Sequence, residues 1–144
     1  MILLDVNLLL ALCDADHVHH ALAKPWFRAH ALAGWATCPL TENGMLRVMG
    51  NPAYPGGPGM PEPVRPLLQH LRTLPGHQFW AESISLADTG VVASLRGVTS
   101  RQLTDLYLLA LAVHHGGRLA TLDTHIDPSR VRGGAQALWI ILPT

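Results

Sequence analysis

The sequence predicts an α/β fold built on a mostly parallel sheet. Three observations carry that expectation. Short apolar runs such as Ile2-Leu3-Leu4 and Leu119-Ala120-Thr121-Leu122 alternate with longer stretches of helical spacing, the order that threads parallel strands through helices. One of those stretches, Asp105 to Val113, is apolar nearly all round, so its helix belongs in the interior against the sheet. Finally, 49% of the 144 residues are hydrophobic, ample for a sizeable core in one domain spanning 1–144.

Taken in order, Ile2-Leu3-Leu4 is a continuous apolar run ending at Asp5, which suits a strand buried on both faces. Asn7 can cap a helix over Leu8–Cys13. A second helix runs from about His17 to Ala33 on Leu22, Trp26, Phe27 and Ala31, with Pro25 a candidate kink and Gly34 its stop. Trp35-Ala36-Thr37-Cys38 reads as the next strand. Pro39-Leu40 turns the chain, and Thr41 can cap a helix over Glu42–Met49 that holds Glu42 in its first turn. Asn51 to Pro63 is rich in Pro and Gly and reads as a loop inside the domain, because core-forming sequence flanks it on both sides.

Val64–Leu74 has helical spacing through Leu67, Leu68 and Leu71 and stops at Pro75-Gly76. Gln78-Phe79-Trp80-Ala81 is a candidate strand, and Ser85-Leu86-Ala87-Asp88 has the form that often opens a helix. The apolar helix follows, with Thr104 and Asp105 at its start and Gly116-Gly117 after its end. Leu119 to Leu122 makes a strand ending at Asp123, and Trp139–Leu142 makes the last one.

Ten Lys plus Arg balance ten Asp plus Glu, so no global cationic field announces a nucleic-acid binder, and attraction for phosphate must be local or carried by metal. Cys13 and Cys38 lack metal-ligand spacing and read as buried, reduced thiols, which favours the cytoplasm. The opening MILLDVNLLLALC is broken by Asp5 and is too short to span a bilayer, and no basic segment or cleavage site frames it as a signal peptide.

Chemistry is concentrated in four carboxylates. Asp5 and Asp123 each follow a predicted strand, and Glu42 and Asp105 each begin a helix starting at that same edge. In open α/β sheets, ligands bind outside the carboxyl ends of the strands, so all four should converge there. Each residue alone has a plain structural use: a helix cap for Asp5, a favourable helix dipole for Glu42 and Asp105, a turn for Asp123. Together they are electrostatically costly, since two like charges about 4 Å apart repel by roughly 4 kcal/mol at an effective dielectric near 20. Oxygen-only donors suit Mg²⁺ or Mn²⁺, and the natural reaction of such a site is phosphodiester hydrolysis.

That ordered set resembles the PIN-domain ribonucleases, specifically VapC-type toxins of toxin–antitoxin pairs. The likeness runs through MILLDVNLLLAL, ATCPLTENGMLRV, GHQFWAESISLAD and LTDLYLLALAVHHGGRLATLD. It implies a three-layer α/β/α sandwich with a central sheet of about five short strands. It also implies that Asp5, Glu42, Asp105 and Asp123 form the catalytic, metal-binding set, with Thr121 the polar residue that often accompanies the last acid. The implied activity is Mg²⁺- or Mn²⁺-dependent endonucleolytic cleavage of structured RNA such as tRNA or rRNA, halting translation. The implied partners are that RNA, a cognate VapB-like antitoxin and a second copy in a homodimer, with no membrane. A housekeeping PIN nuclease of RNA processing and a non-catalytic, metal-stabilised interaction module are the alternatives.

Other residues leave two readings open. His17, His19 and His20 with Asp14 and Asp16 could form a second metal site or a solvated helix start. His114 and His115 suit a helix C-terminus. His125 and Asp127 could lend an outer contact to Asp123, and Arg47, Arg96, Arg101 and Arg118 could meet phosphate or simply solvent.

Overall fold

The computed structural model describes residues 1–143. Five short strands form one all-parallel sheet: β1 (Ile2–Leu4), β2 (Trp35–Thr37), β3 (His77–Phe79), β4 (Arg118–Thr121) and β5 (Leu138–Ile140). Their order is β3-β2-β1-β4-β5. The chain therefore builds outward from β1 on one side, then crosses back to add β4 on the other. The gap between β1 and β4 is the place where strand order reverses, the usual ligand crevice of such sheets.

Six α-helices connect the strands: α1 (Val6–Cys13), α2 (His20–His30), α3 (Pro39–Met49), α4 (Arg65–Leu71), α5 (Leu103–His114) and α6 (Gly134–Ala137). Side-chain alternation along the strands separates two cores. Ile2, Leu4, Trp35 and Ala120 face Leu8, Phe27, Met45 and Leu68 from α1 to α4. Leu3, Ala36 and Leu119 face Leu106, Leu109 and Leu111 of α5 and Ala137 of α6 on the other side. The result is the expected three-layer α/β/α sandwich, with α5 buried from Leu108 to Ala112.

Local differences from expectation have local causes. Asp5, not Asn7, caps α1, which begins at Val6. Cys38 is the N-cap of α3, which starts at Pro39, where a missing N–H costs nothing. Thr41 then sits inside the first turn, its hydroxyl accepting from the Cys38 amide at 3.0 Å. The second helix is shorter than its apolar spacing suggested, because His17 to His19 are held in turns, as by the His19 amide donating to His17 Nδ1 at 3.0 Å. Ser85-Leu86-Ala87-Asp88 opens no helix. Its polar side chains bond forward to the amides of Ala87 and Gly90 at 3.1 and 2.8 Å and wind the backbone into turns instead.

Each of the last three strands begins one residue earlier than expected, and α6 was not anticipated. The Pro/Gly stretch is irregular as expected, up to a 3₁₀ turn at Glu62–Val64 that leads into α4. Tyr54 anchors it, its hydroxyl donating to Asp14 at the end of α1 at 2.6 Å. Both cysteines are free, and burial pushes the Cys13 thiol up to about 11, which keeps it a thiol at neutral pH. Among the described residues, no helix is long and apolar enough to cross a membrane.

Candidate active site

Thr121, the fully buried last residue of β4, organises the crevice. Its hydroxyl donates to Asp5 Oδ2 at 2.7 Å and accepts from the Asn7 side-chain amide at 3.1 Å and the Asp123 amide at 3.0 Å. Asn7 Oδ1 in turn accepts from the Leu122 amide at 3.2 Å. The first turn of α1 is thereby stitched to the turn leaving β4, and Asp5 and Asp123 are fixed relative to each other. Asp5 Oδ1 takes the Val6 amide at 2.7 Å, so the helix cap and the site residue are the same side chain.

Asp105 enters from the opposite layer, in the first turn of α5. Burial, followed by the charges of Asp5 and Asp123 and a hydrogen bond with Asp123, raises its pKa to about 6. Burial also raises the Asp5 pKa, against the hydrogen bonds from Thr121 and Val6, and the charge of Asp123 adds to the rise. Both shifts come first from burial, and the charges of neighbouring carboxylates add to them.

Glu42, in the first turn of α3 and only 9% exposed, is held differently. Thr37 Oγ1, at the end of β2, donates to Oε2 at 2.6 Å, and His77 Nε2 lies 2.7 Å from the same hydroxyl. Arg72 Nη1 approaches Oε1 at 3.4 Å, while its guanidinium lies over the Phe79 ring, 5.1 Å from the centroid. Burial, then the Arg72 charge, lowers the His77 pKa, which keeps the ring neutral at ordinary pH. The structure thus gathers Asp5, Asp105 and Asp123 and ties Glu42 into a neighbouring network on the β2–β3 side of the same sheet edge. The carboxylate charges bearing on Asp5 and Asp105 are those of the aspartates.

Among the described residues, no three His, Cys, Asp or Glu side chains already stand around one point as metal ligands. The donor chemistry itself fits a hard divalent cation: the acids offer only oxygen, and Asp105, raised first by burial and then by the charges of Asp5 and Asp123, stands where added positive charge would be favoured.

The remaining candidates divide clearly. His125 does meet Asp123, its amide donating to Oδ1 at 2.8 Å and its Nδ1 lying 3.3 Å away. Gln102, His125 and Arg130 line a small hollow beside Asp105. Arg118 begins β4, at the sheet end opposite the acids, and stacks on Trp139 at 4.1 Å. Arg47, Arg96 and Arg101 are exposed. His20 bonds the Ala11 carbonyl at 2.7 Å, a local use that needs no metal. His115 stacks on Trp80 with centroids 4.0 Å apart. Sequence reasoning missed Thr37, His77 and Arg72 and saw Asn7 only as a helix cap. Thr37 left one trace, a hydroxyl inside the otherwise apolar run Trp35-Ala36-Thr37-Cys38.

A parallel α/β/α sandwich with carboxylates collected at its switch point defines a class of acid-site folds. The PIN domain profile matches residues 2–131. Ribonuclease VapC44 of Mycobacterium tuberculosis is 41% identical over 134 residues, covering 93% of this chain and 94% of that protein. Ribonuclease VapC38 of the same organism is 46% identical over 127 residues, 88% of this chain and 87% of its own length. Ribonuclease VapC39 is 38% identical over 137 residues, 94% and 98% of the two chains. The chain belongs to the PIN-domain family, among its VapC-type members.

Proposed function

We propose that this chain is a metal-dependent endoribonuclease, the toxin of a toxin–antitoxin pair. Asp5, Glu42, Asp105 and Asp123 are its catalytic, metal-holding residues, within one domain spanning 1–144. The observation that carries the reading is the meeting of Asp105 with Asp5 and Asp123 at the β1–β4 switch point, on a chain whose relatives are named ribonucleases. The substrate is a structured RNA of the tRNA or rRNA kind, and its cleavage stops translation.

Bound there, Mg²⁺ or Mn²⁺ would supply charge to the scissile phosphate and lower the pKa of water. The chain's own part is placement. Thr121 keeps one oxygen of Asp5 directed by its hydrogen bond and sets the turn that carries Asp123. Asp105 completes the set from the other layer, and its raised pKa means that cation binding competes with a proton.

A free nuclease of this kind needs restraint, and the partner we propose is a VapB-like antitoxin acting in the cytoplasm. A basic side chain from it would neutralise the same aspartates. Most of α1 is unavailable for docking, since Leu8, Leu9 and Leu10 are core. A groove of about 420 Å³ floored by Leu12, Phe27, Leu67 and Leu71 offers itself instead, with Lys24 and Arg28 on its lining. A homodimer through the remaining apolar surface is part of the same reading.

Purified protein should cut tRNA or rRNA with Mg²⁺ or Mn²⁺ and stop on chelation. Expression alone should arrest bacterial growth, and co-expression of the neighbouring antitoxin gene should restore it. Growth unaffected by active, soluble protein would favour a housekeeping nuclease. Metal binding without cleavage would favour an interaction module.

A further inference from the structure

We propose that Thr37 is a positioning residue for Glu42, and that His77 sets the direction in which Thr37 acts. The inference rests on reading Glu42 as a member of the metal-holding set. The Thr37 hydroxyl is fully buried and lies between two partners, Glu42 Oε2 at 2.6 Å and His77 Nε2 at 2.7 Å. A hydroxyl carries one proton, and an ionised carboxylate can only accept. The Thr37 proton therefore goes to Glu42, and His77 supplies the second hydrogen as an Nε2–H donor. The chain runs one way, from His77 Nε2–H to Thr37 Oγ1–H to Glu42 Oε2, and every dipole presents its positive end to the carboxylate.

The device spans three elements, with Glu42 on α3, Thr37 on β2 and His77 on β3. Trp35 steadies the imidazole, ring centroids 4.7 Å apart, and Arg72 takes the other carboxylate oxygen from a more exposed position. A glutamate on a helix has several rotatable bonds, so its backbone alone does not aim its oxygens. Partners of this kind behind a ligating carboxylate commonly matter by about 10–100-fold in metal affinity.

The test is Mn²⁺ binding to the full chain, followed by the paramagnetic signal of free Mn²⁺, in Thr37→Val, Thr37→Ser and His77→Phe. Thr37→Val should weaken binding about 10–100-fold. Thr37→Ser, which keeps the hydroxyl, should stay close to wild type, and His77→Phe should fall between them. Nitrogen NMR of wild type should show His77 as the Nε2–H tautomer, a state that burial alone does not impose. If Thr37→Val fails to fold by circular dichroism, His77→Phe decides by the same titration. Wild-type affinity in the folded variants, or an Nδ1–H tautomer at His77, overturns the proposal while leaving the metal site standing. Failure of wild type to bind Mn²⁺ overturns the metal reading, and this inference with it.

Discussion

Thr121 and Thr37 close the two strands that flank β1, and each donates a short hydrogen bond to a buried carboxylate, yet the two halves of the sheet edge are balanced differently. Around Thr121, three aspartates share one crevice. The basic side chain that meets an aspartate there among the described residues is His125, 3.3 Å from Asp123 through Nδ1 and 93% exposed. Around Thr37 a single glutamate already has a hydroxyl on one oxygen and a guanidinium near the other. The first half is short of positive charge. The second is nearly neutral, and its carboxylate is held in one orientation. Crowding of acids and positioning of acids are thus separate jobs, assigned to opposite sides of β1.

The largest expected difference between the halves is in turnover. Asp105→Asn or Asp5→Asn should slow RNA cleavage at least ~100-fold, on the scale of losing a positioned charge in other sites. Arg72→Leu, on the compensated side, should cost less than about 10-fold, because the Thr37 bond to Glu42 survives. Single-turnover rates on tRNA measure both, and equal losses would dissolve the distinction.

Stability should separate the two threonines next. Thr121→Val removes a donor to Asp5 and an acceptor for two N–H groups, so a cost of about 2–3 kcal/mol in urea unfolding is expected, against about 1–2 for Thr37→Val. A larger loss at Thr37 would make the β2–β3 network the structural anchor instead.

The pH dependence of stability offers a gentler probe. The folded-state pKa of Asp105, about 6, stands above its unfolded value of 3.8, so the folded chain holds a proton that the unfolded chain releases between those values. This stabilising contribution is fully present below pH 3.8 and is lost as pH rises through about 6. In chelator, Asp105→Asn should therefore melt nearly with wild type at pH 4 and above it at pH 7. Added Mg²⁺ should narrow the gap by favouring wild type. Asp105 is partly open to solvent, so screening keeps the effect modest. A gap that does not change with pH would mean that the aspartates are not crowded.

The smallest effect should be that of the Arg72–Glu42 ion pair on stability. At 3.4 Å, with the arginine side chain 44% exposed, it is a surface-type pair. Arg72→Leu should change unfolding free energy by less than ~1 kcal/mol, a value that denaturant melts can bound.

Much of the acid crevice was legible in the sequence because its residues coincide with punctuation. Asp5 ends an apolar run, and Asp105 opens a helix so uniformly apolar that its start is unmistakable. The parallel sheet followed from the same alternation of short runs and helical spacing. Thr37, His77 and Arg72 were not legible, because their relation is purely spatial: His77 stands 40 positions from Thr37, and Arg72 stands 30 from Glu42. Helix starts were misjudged where two residues competed for one cap, as Asp5 with Asn7 and Cys38 with Thr41, and the loser in each pair found another hydrogen bond. Ser85 and Asp88 show the limit of a short motif, since the same side chains that cap a helix can also close a turn.

The bond from Thr121 to Asp5 joins residues 116 positions apart, across a sheet in which neighbouring strands are all parallel. Such a sheet cannot be closed by local hairpins and has to wait for distant segments to arrive. On a ribosome, α1 and β1 emerge first, but the crevice has no third wall until α5 has followed and no last acid until Asp123 is out. On the proposed function, a growing chain therefore lacks its full set of acids until Asp123 has emerged, and attack on the RNA of the machine that makes it has to wait for that segment.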